Sequence, residues 1–477
     1  MIISFISIPV LFAAAIASIL AGRDSRKLAY YPALLAASAS VVLNLVTFLL
    51  EKLPVRYQMS GWPVPYGITI CVDQFSITLS LLASALFFAV MVFSRDYITE
   101  RAREFYSLFC IMAAGMLGLF HTGDIFNMYV FLEITSISSY ALVAFRRTRS
   151  SLEAGIKYLI MGSFATSMII LGIALLYNQT GTLNIADMVL KINSQDAGLA
   201  AAFIFAGLAL KAGLVPFHSW LPDAHPAAPS PISALLSGLA IKAGIYLFLR
   251  LWLTVFVGVS SVSWLLIAMG IISMVLGALL AMQQTDLKRL LAYSSVSQMG
   301  FIALCFGLAN PAGFSAGINQ VIQHALAKCL LFLVAGAVIL KAGTRDMKEI
   351  GQKHSFGPMI SVPFLMGSLA IAGIPLTGGF VSKWMVYTST FAFSPALTII
   401  SLVVSALTFV YMMKAYSLVF AGGGKVHHFS KTMSWPLVCM AATIIILGVL
   451  PWTSMNLTDA IAAGISNVNN YIGAVIT

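Results

Sequence analysis

Residues 211–242, KAGLVPFHSWLPDAHPAAPSPISALLSGLAIK, decide the fold of this chain. An apolar helix that carries Lys211 breaks at Pro216, and after a polar, proline-rich segment a second apolar helix carries Lys242. A lysine is costly at the depth of the hydrocarbon core and is a candidate for function there. Irregular backbone at that depth is tolerated only where protein or water covers it. The stretch therefore indicates an ion or proton path beside a broken membrane helix.

The composition of the whole chain is that of a membrane protein. Hydrophobic residues make up 60% of the 477 residues and charged residues only 9%, whereas about a quarter of the residues in a soluble domain are charged. Apolar runs of about 20 residues, long enough to cross a bilayer, recur from end to end. The strand alternation of a membrane β-barrel is absent. We therefore predict an all-α polytopic membrane protein.

Hydropathy divides the chain into about fourteen transmembrane helices. They are predicted near residues 2–21, 28–50, 73–93, 105–121, 124–145, 155–177, 198–215, 231–255, 260–282, 290–309, 313–340, 359–390, 396–420 and 436–455. The loops that follow odd-numbered spans carry nearly all of the loop Lys and Arg residues. Because short cytoplasmic loops are enriched in these residues, both termini are predicted on the outer face of the membrane. Loop 216–230 is the one inward loop without Lys or Arg, and we expect it to fold into the protein.

The same sequence excludes several classes of function. The net charge of +11 resides in loops between spans, as the charge rule for membrane proteins requires, so nucleic acid is not expected as a partner. The five cysteines are scattered without a CxxC pair, and no His/Glu spacing resembles a zinc site, so no metal, cofactor or disulfide is expected. No phosphate-binding glycine loop indicates an ATP-driven pump. Without a redox site of its own, the chain could contribute to catalysis only as a subunit of a redox-driven complex.

The twelfth predicted span repeats the feature of the opening stretch. Its sequence IAGIPLTGGFVSKW places Ala-Gly before Pro375 with Lys383 nearby, as KAGLVPF places Ala-Gly before Pro216 beside Lys211. Because the two spans are an odd number apart, the two copies would cross the membrane in opposite senses. Interrupted helices at matching places in two halves are typical of inverted-repeat transporters. So short a match also arises by chance in a glycine-rich membrane protein.

Among the acidic residues, Glu133 in DIFNMYVFLEITSISSYALVAF alone lies deep within a predicted span. The others lie in loops, near span ends or, as Asp223, in the opening stretch. A protonated glutamate bonded to a neighbouring helix is the structural alternative. The Ser and Thr residues of the same span would fill that role at lower cost, since a carboxyl group is expensive in the membrane. We therefore interpret Glu133 as a functional residue.

Four lysines lie deep in four different helices, namely Lys211, Lys242, Lys328 and Lys383. Burial lowers the pKa of an amine and a nearby carboxylate raises it again, so an amine at this depth can titrate near neutral pH. Glu133 close to Lys211 would hold a proton on that lysine, and separation would release it. If one acid and four bases were all ionised, charge would remain uncompensated. Some of the lysines are therefore expected to be neutral part of the time, as a proton relay requires.

Three histidines add to this set. His324 lies four residues before Lys328 in QVIQHALAKCLLFL, so both lie on one helix face. Imidazole titrates in the physiological range and can relay protons, although a structural histidine at a helix contact is the alternative. In the opening stretch, His218 and His225 flank Asp223. His218, Asp223 and His225 are predicted either to line the inner mouth of a path or only to form hydrogen bonds with exposed backbone groups.

These motifs resemble the antiporter-like subunits shared by respiratory complex I, Mrp-type cation/proton antiporters and membrane-bound energy-converting hydrogenases. FLEITSISSYALVAF carries the family's fifth-span glutamate as Glu133, and the opening stretch carries the lysines of spans seven and eight as Lys211 and Lys242. DLKRLLAYSSVSQMGF is similar to the tenth-span signature, and HALAKCLLFL carries His324 and Lys328. The sequence PFHSWLPDAH and the His324-Lys328 pair look most like those of the Mrp D subunit and its relatives in hydrogenase or sulfur-reducing complexes.

The resemblance implies two inverted five-helix repeats, spans four to eight and nine to thirteen, with helices seven and twelve broken. The implied divisions of the chain are 1–104 for the first three helices, 105–257 and 258–420 for the repeats, and 421–477 for helix fourteen and the tail. The implied partners are other membrane subunits, the lipid bilayer and protons, and the sequence leaves open whether the subunit moves protons, Na+ or both. The implied location is the cell membrane of a prokaryote.

The resemblance also implies a hydrated polar axis in the membrane, with half-channels to both sides. Its members would be Glu133, Lys211, Lys242, Lys328 or His324, and Lys383. Three functions follow as hypotheses. The chain is a proton-translocating subunit of a multisubunit complex, a stand-alone carrier of cations or other solutes, or a non-conducting scaffold of a redox complex. The cost of four buried amines argues against the scaffold. The sequence does not choose between an Mrp antiporter and a hydrogenase or sulfur-reductase complex, because the driving chemistry lies in other subunits.

Overall fold

The computed structural model describes residues 2–22, 26–193, 197–257, 259 and 261–476. Within these ranges, twelve helices are long and apolar enough to cross a membrane. They are numbered as the predicted spans. Spans one to six are Ser4–Ala21, Lys27–Leu50, Gln74–Tyr97, Ala102–His121, Ile125–Val143 and Arg149–Thr180. Spans eight to eleven are Ser230–Thr254, Ser261–Met282, Leu287–Gly307 and Pro311–Ala342, and spans thirteen and fourteen are Pro395–Phe420 and Lys431–Val449. The all-α membrane fold expected from composition is confirmed.

Spans seven and twelve are the two exceptions, and both are broken. Span seven is the helix Gly198–Ala212, which is followed by irregular backbone and the short helix Leu221–Ala227. Span twelve consists of two helices, Pro358–Ala372 and Gly378–Phe393. Together with the twelve long helices, these two broken spans account for the fourteen that hydropathy predicts.

The two breaks have the same local structure. Gly213 (φ +68°) and Gly373 (φ +82°) follow the ends of the first helices in the left-handed conformation, which glycine adopts without steric cost. In each case the amide of the next residue donates to the carbonyl four residues before the glycine, at 3.1 and 3.0 Å. This pattern closes the C-terminus of a helix. The short Ala-Gly match in the sequence thus marks two equivalent helix ends.

A second repeated feature is a β-bridge that joins the end of a long helix, span six or span eleven, to the start of the helix before it. After span six, Asn184 forms a β-bridge with Asp124, which caps span five; after span eleven, Asp346 forms one with Asp286, which caps span ten. Both long helices end in a left-handed glycine followed by threonine. Spans five and ten are an odd number apart, so the two copies lie on opposite sides of the membrane, as inverted repeats require. The divisions near residues 105, 258 and 421 stay predictions.

Short elements cover both ends of the bundle. They are the antiparallel strands Val55–Gln58 and Thr69–Val72 around the turn Met59–Gly61, the helices Ile185–Lys191 and Met347–Lys353, and the parallel strands His354–Phe356 and Lys425–His427. The tail contains two more helices, Pro451–Ile465 and Val468–Ile476. They pack back over spans three, eight and eleven, so the tail is part of the folded bundle.

Spans eight and eleven, which carry two of the four predicted lysines, lie with span ten at the centre of the bundle. In their most apolar windows, 94% of the residues of spans eight and ten are buried and 83% of those of span eleven, against 33% for span two. The polar side chains of the central helices therefore contact protein instead of lipid.

Candidate functional site

Lys211 lies at the end of span seven and reaches span five. It is buried, and its amine donates to the hydroxyls of Ser136 (2.8 Å) and Tyr140 (3.0 Å). Glu133, one turn before Ser136 on the same helix, acts on the amine through space. In this conformation the groups in contact with Lys211 are thus two hydroxyls, and the carboxylate of the predicted pair lies beyond them.

Glu133 also faces the side of the bundle. It is half-buried and lines a groove of about 650 Å³ between spans five and six. Much of the groove is apolar and includes the exposed side chains of Ile137 and Ile156. The carboxylate can therefore be approached laterally as well as from the bundle interior.

Lys242 lies beside an irregular turn of span eight. Residues Leu236–Ala240 form one π-helical turn, a distortion of the regular helical hydrogen bonding that is frequent at functional sites. The amine of Lys242 donates to the carbonyl of Ser237, and the Ser237 hydroxyl lies 2.7 Å from that of Ser295 in span ten. The distorted turn thus supplies a neutral acceptor for a buried amine.

Span eleven carries Lys328 and His324 on one face. The amine of Lys328 donates to a backbone carbonyl of span ten (3.0 Å) and to the Ser294 hydroxyl. Both ring nitrogens of the buried His324 lack a hydrogen bond to any described residue. The ring interacts electrostatically with Lys242, Lys328 and Lys383. Span eleven packs against both span eight and the second helix of span twelve, so His324 lies on a helix that contacts the helices of Lys242 and Lys383.

Lys383 lies on the second helix of span twelve and is buried. Its amine is 2.8 Å from the ring centre of Phe301 in span ten, and a ring face attracts a cation. Across the described ranges the amine has no hydrogen-bond partner. Its stem packs against Gly373 at the end of the first helix of the span, so the side chain crosses the break.

The irregular segment after span seven runs from the surface to the buried lysines. Asp223 is partly exposed and pairs with Lys157 of span six at 3.3 Å, whereas His218 is half-buried. His225 is fully buried and stacks on Phe332, with ring centres 4.7 Å apart. It interacts electrostatically with buried lysines of spans eight, ten and eleven. Of the three residues predicted at a path mouth, Asp223 lies at the surface and His225 lies beside the lysines.

Lys288 is a fifth buried lysine, which the sequence does not distinguish from a loop residue. It is 1% exposed, and its amine donates to the carbonyl of Ala228 (2.7 Å) and lies 3.3 Å from the Ser233 hydroxyl. It thereby ties the start of span ten to the irregular segment. The next residue, Arg289, is exposed, so position in the sequence gives no signal that separates the two.

A buried ion pair is also invisible in the sequence. Arg250, near the end of span eight, bonds Asp73, the N-cap of span three, through two nitrogens at 2.6 and 2.9 Å. The guanidinium lies 5.4 Å from the ring centre of Tyr246 and 5.1 Å from that of Tyr471. The sequence indicates only that Asp73 begins a span and Arg250 ends one, since the two are 177 residues apart.

The buried amines of Lys211, Lys242, Lys288 and Lys328 share one property. Their hydrogen-bond partners in the described structure are hydroxyls and backbone carbonyls. When an amine loses its proton, a carboxylate partner is left as an unpaired buried charge, whereas a hydroxyl or carbonyl partner is not. The arrangement can therefore hold each lysine in its charged or its neutral form, which is the chemical requirement for passing a proton along.

Known proteins match the chain over most of its length. The family model described as NADH:quinone oxidoreductase/Mrp antiporter, TM, matches residues 122–409. The N subunit of the NADH-quinone oxidoreductase of Desulforudis audaxviator is 37% identical over 394 residues, covering 80% of this chain and 78% of the relative. The D subunit of the Na(+)/H(+) antiporter of Alkalihalophilus pseudofirmus is 31% identical over 438 residues, covering 88% of each.

A solved structure agrees with these matches. A chain of the membrane-bound sulfane sulfur reductase, an archaeal respiratory membrane complex, superposes on this one with a TM-score of 0.94, at 29% identity and with 100% of both chains covered. All of the predicted relay residues lie within the segment matched by the family model. The chain therefore belongs to the antiporter-like membrane subunits shared by NADH:quinone oxidoreductases and Mrp antiporters.

Proposed function

We propose that this chain translocates protons as one subunit of a multisubunit membrane complex. The observation that carries the proposal is the set of buried lysines held by neutral groups from span five to span eleven. Amines and imidazoles gain and lose protons, and their charged forms repel metal cations, so we infer that the ion these side chains move is a proton. Glu133, Lys211, Lys242, His324, Lys328 and Lys383 form the relay.

Glu133 and Lys211 act as the gate of this relay. Lys211 has two sets of partners on span five, the hydroxyls that it contacts here and the carboxylate one turn away. The carboxylate favours the charged amine, whereas a hydroxyl can accept from the charged amine and can either accept from or donate to the neutral one. A small movement of the lysine between the two sets would therefore control when it holds a proton.

The proton passes from the gate to Lys242 and then to span eleven. Spans seven and eight are in close contact, since a Cβ at Gly244 would lie 2.8 Å from the amide nitrogen of Ala212. His324 links Lys242 and Lys328 to Lys383, because span eleven packs against both span eight and the second helix of span twelve. Lys383, beside the break in span twelve, is the terminal site.

The irregular segment 216–230 is the inner entrance. Asp223 would collect protons at the surface, and His218 and His225 would pass them inward to Lys242. The basic loops favour the cytoplasm for this face, which places both termini on the outer face of the cell membrane.

Another membrane subunit covers the groove beside Glu133. A half-buried carboxylate facing lipid is costly, and ionisable residues in membranes normally face protein or water. The relatives named above belong, by their names, to multisubunit assemblies. The free energy that drives transport would enter from such partners.

The proposal is tested in the purified complex that contains this chain, reconstituted in proteoliposomes. Lys211→Ala should abolish proton movement without loss of assembly. Lys211→Arg should abolish it too, because arginine keeps its charge but does not release its proton. Lys348→Ala, at an exposed lysine in the short helix after span eleven, is the control and should transport normally. Undiminished proton movement in an assembled Lys211→Arg complex would refute the assignment.

Two further measurements address the competing functions. Liposomes that hold only this chain should transport neither Na+ nor other solutes, and transport by the isolated chain would favour a stand-alone carrier. Coupling that survives simultaneous replacement of Lys211, Lys242, Lys328 and Lys383 by alanine would favour a scaffold. Co-purifying subunits would then show whether the complex is redox-driven.

A further inference from the structure

Span eleven carries a line of polar side chains that the relay does not use. Ser315, Asn319 and Gln323 are spaced by four residues and lie on one helix face, extending over about 12 Å of the helix. All three are buried. Uncharged polar groups are unusual in such number on one face of a membrane helix unless they bond other helices or water.

Two of these side chains have no protein partner. Neither side-chain atom of Asn319 (0% exposed) or Gln323 (3% exposed) forms a hydrogen bond within the part of the chain that the structure describes. The neighbouring Gln320 does find one, since it donates to Gln298 of span ten at 2.9 Å. Buried polar groups are nearly always satisfied by protein or by water. The two free carboxamides therefore indicate positions that water occupies.

The line begins at the protein surface, on the side opposite the basic loops. The Ser315 hydroxyl donates to Asp459 at 2.5 Å and lies 3.0 Å from the hydroxyl of Thr458. Asp459 is exposed on the helix Pro451–Ile465, which follows span fourteen. An exposed carboxylate attracts cations to its surroundings. The surface end of the line thus carries an exposed acidic group.

The line ends at the break in span twelve. The helix Gly378–Phe393 starts there without a side-chain cap, so its first amides lack the partner that a cap supplies. The Gln323 carboxamide packs directly on Gly378, where an added Cβ would lie 2.7 Å from Gln323 Cδ. Lys383, five residues later, leans back over the same break.

We propose that Ser315, Asn319 and Gln323 form a narrow water-filled route between Asp459 and Lys383, with the Gln323 carboxamide at Gly378 as its narrowest point. The inference rests on the proposed relay and assigns the residues through which its terminal lysine exchanges protons with the side opposite the basic loops. The carboxamide orients water between the helix start and Lys383 and does not itself gain or lose a proton.

Access is tested without any transport assay. In sealed vesicles that hold the assembled complex, Asn319→Cys and Gln323→Cys are made in a background lacking the five native cysteines. Ag+ is added to the side opposite the basic loops, and thiols that remain free are counted after denaturation. Both positions should react. Val321→Cys, equally buried but off the line, should not. Absence of reaction at Asn319→Cys, or equal reaction at Val321→Cys, would overturn the route.

The narrow point is tested by a pair of glycine substitutions. Gly378→Ala displaces the Gln323 carboxamide, whereas Gly464→Ala, on the exposed face of the helix that carries Asp459, meets nothing within 4 Å. Proton movement by the assembled complex should fall about tenfold in Gly378→Ala, an added barrier of about 1.4 kcal/mol, and stay unchanged in Gly464→Ala. Gln323→Leu should match Gly378→Ala. If Lys211→Ala abolishes transport while Gly378→Ala and Gln323→Leu transport normally, the route fails and the relay stands. If Lys211→Ala transports normally, the relay itself fails.

Discussion

The two halves of the molecule, spans four to eight and spans nine to thirteen, share their helix ends but not their ionisable residues. Asp124 and Asp286 cap the matching spans five and ten. Nine residues after these caps, the first half has Glu133 and the second has Ser295. The broken spans differ as well, because Lys211 lies just before its break and Lys383 lies after its own. One backbone plan thus carries two different chemistries.

The surroundings of the two lysines show what that difference does. Lys211 has two hydroxyls in contact and a carboxylate nearby, whereas the amine of Lys383 lies against the ring of Phe301. The first half can therefore stabilise a charged amine and alternate between partners. The second half offers Lys383 a weaker acceptor and a neighbouring break, which suits a site that releases protons. Under the proposed relay, the gate and the outlet therefore belong to different halves.

The largest expected effect concerns two ion pairs, a buried one between spans eight and three and an exposed one in the second half. Arg250→Met in span eight removes the partner of Asp73 and leaves a carboxylate without its cation, a loss of about 3–5 kcal/mol. Arg345→Met in the second half removes a pair with Asp286 whose arginine is 45% exposed, a loss of about 0–1 kcal/mol. Thermal unfolding of the purified complex measures both. Equal destabilisation would mean that the buried pair does not anchor span eight.

The next largest effect is expected at Glu133, compared with Ser295 at the matching position of the second half. Glu133→Gln should lower proton movement at least about tenfold, equivalent to about 1.4 kcal/mol, because the neutral amide no longer favours a charged Lys211. Ser295→Ala, at the matching position of the second half, should cause a much smaller change. Proton flux in proteoliposomes gives both values. Similar losses in the two variants would remove the functional difference between the halves.

Substitutions at the two equivalent breaks should be equal in strain but unequal in function. Gly213→Ala and Gly373→Ala each place an alanine in the left-handed region, at a cost of about 1–2 kcal/mol. Only at Gly373 would the new Cβ meet Lys383, 2.7 Å from its Cγ. Gly373→Ala should therefore also slow proton movement. Gly343→Ala, with positive φ and nothing within 4 Å, is the control for strain alone, and a transport loss there would contradict this reading.

The smallest effect concerns a pH-dependent contact between the loops that follow spans eleven and thirteen. The His354 and His427 rings share a hydrogen bond of 2.9 Å between the strands that join those loops. The pKa of His427 lies below the ordinary value for histidine. The causes are partial burial and the electrostatic interactions of His427 with His354, Lys425 and Lys341. Because protonation is then easier in the unfolded state, stability from this group is present above about pH 6.5 and is lost as pH falls.

Hydrogen exchange of the two strands should therefore quicken at pH 5.5 relative to pH 8, after correction for intrinsic rates. His427→Asn should remove the difference, and His428→Asn, at the exposed neighbour, should keep it. Exchange that is independent of pH in the native complex would show that the contact is not sensitive to protonation.

Much of the site follows from local sequence. Lys211, Lys242, Lys328 and Lys383 are visible because each interrupts an apolar run, and the membrane penalises each one separately. Their surroundings are not visible in this way. Lys288 and Arg289 are adjacent basic residues at a helix start, yet one is buried and the other exposed. The short bridges that mark the repeat are likewise hard to find, because their sequences share little beyond a Gly-Thr pair although their backbone hydrogen bonds agree.

The sequence by itself determined the membrane class, the number of spans, the two breaks and the positions of the deep lysines. These features depend on the free energy of placing each residue in lipid or in a left-handed turn, which is a local property. Only the tertiary structure decided which groups meet: Ser136 and Tyr140 at Lys211, Asp73 at Arg250, and Gln323 at Gly378. Such contacts join residues far apart in the chain, and they form because helices pack by the shape of whole faces.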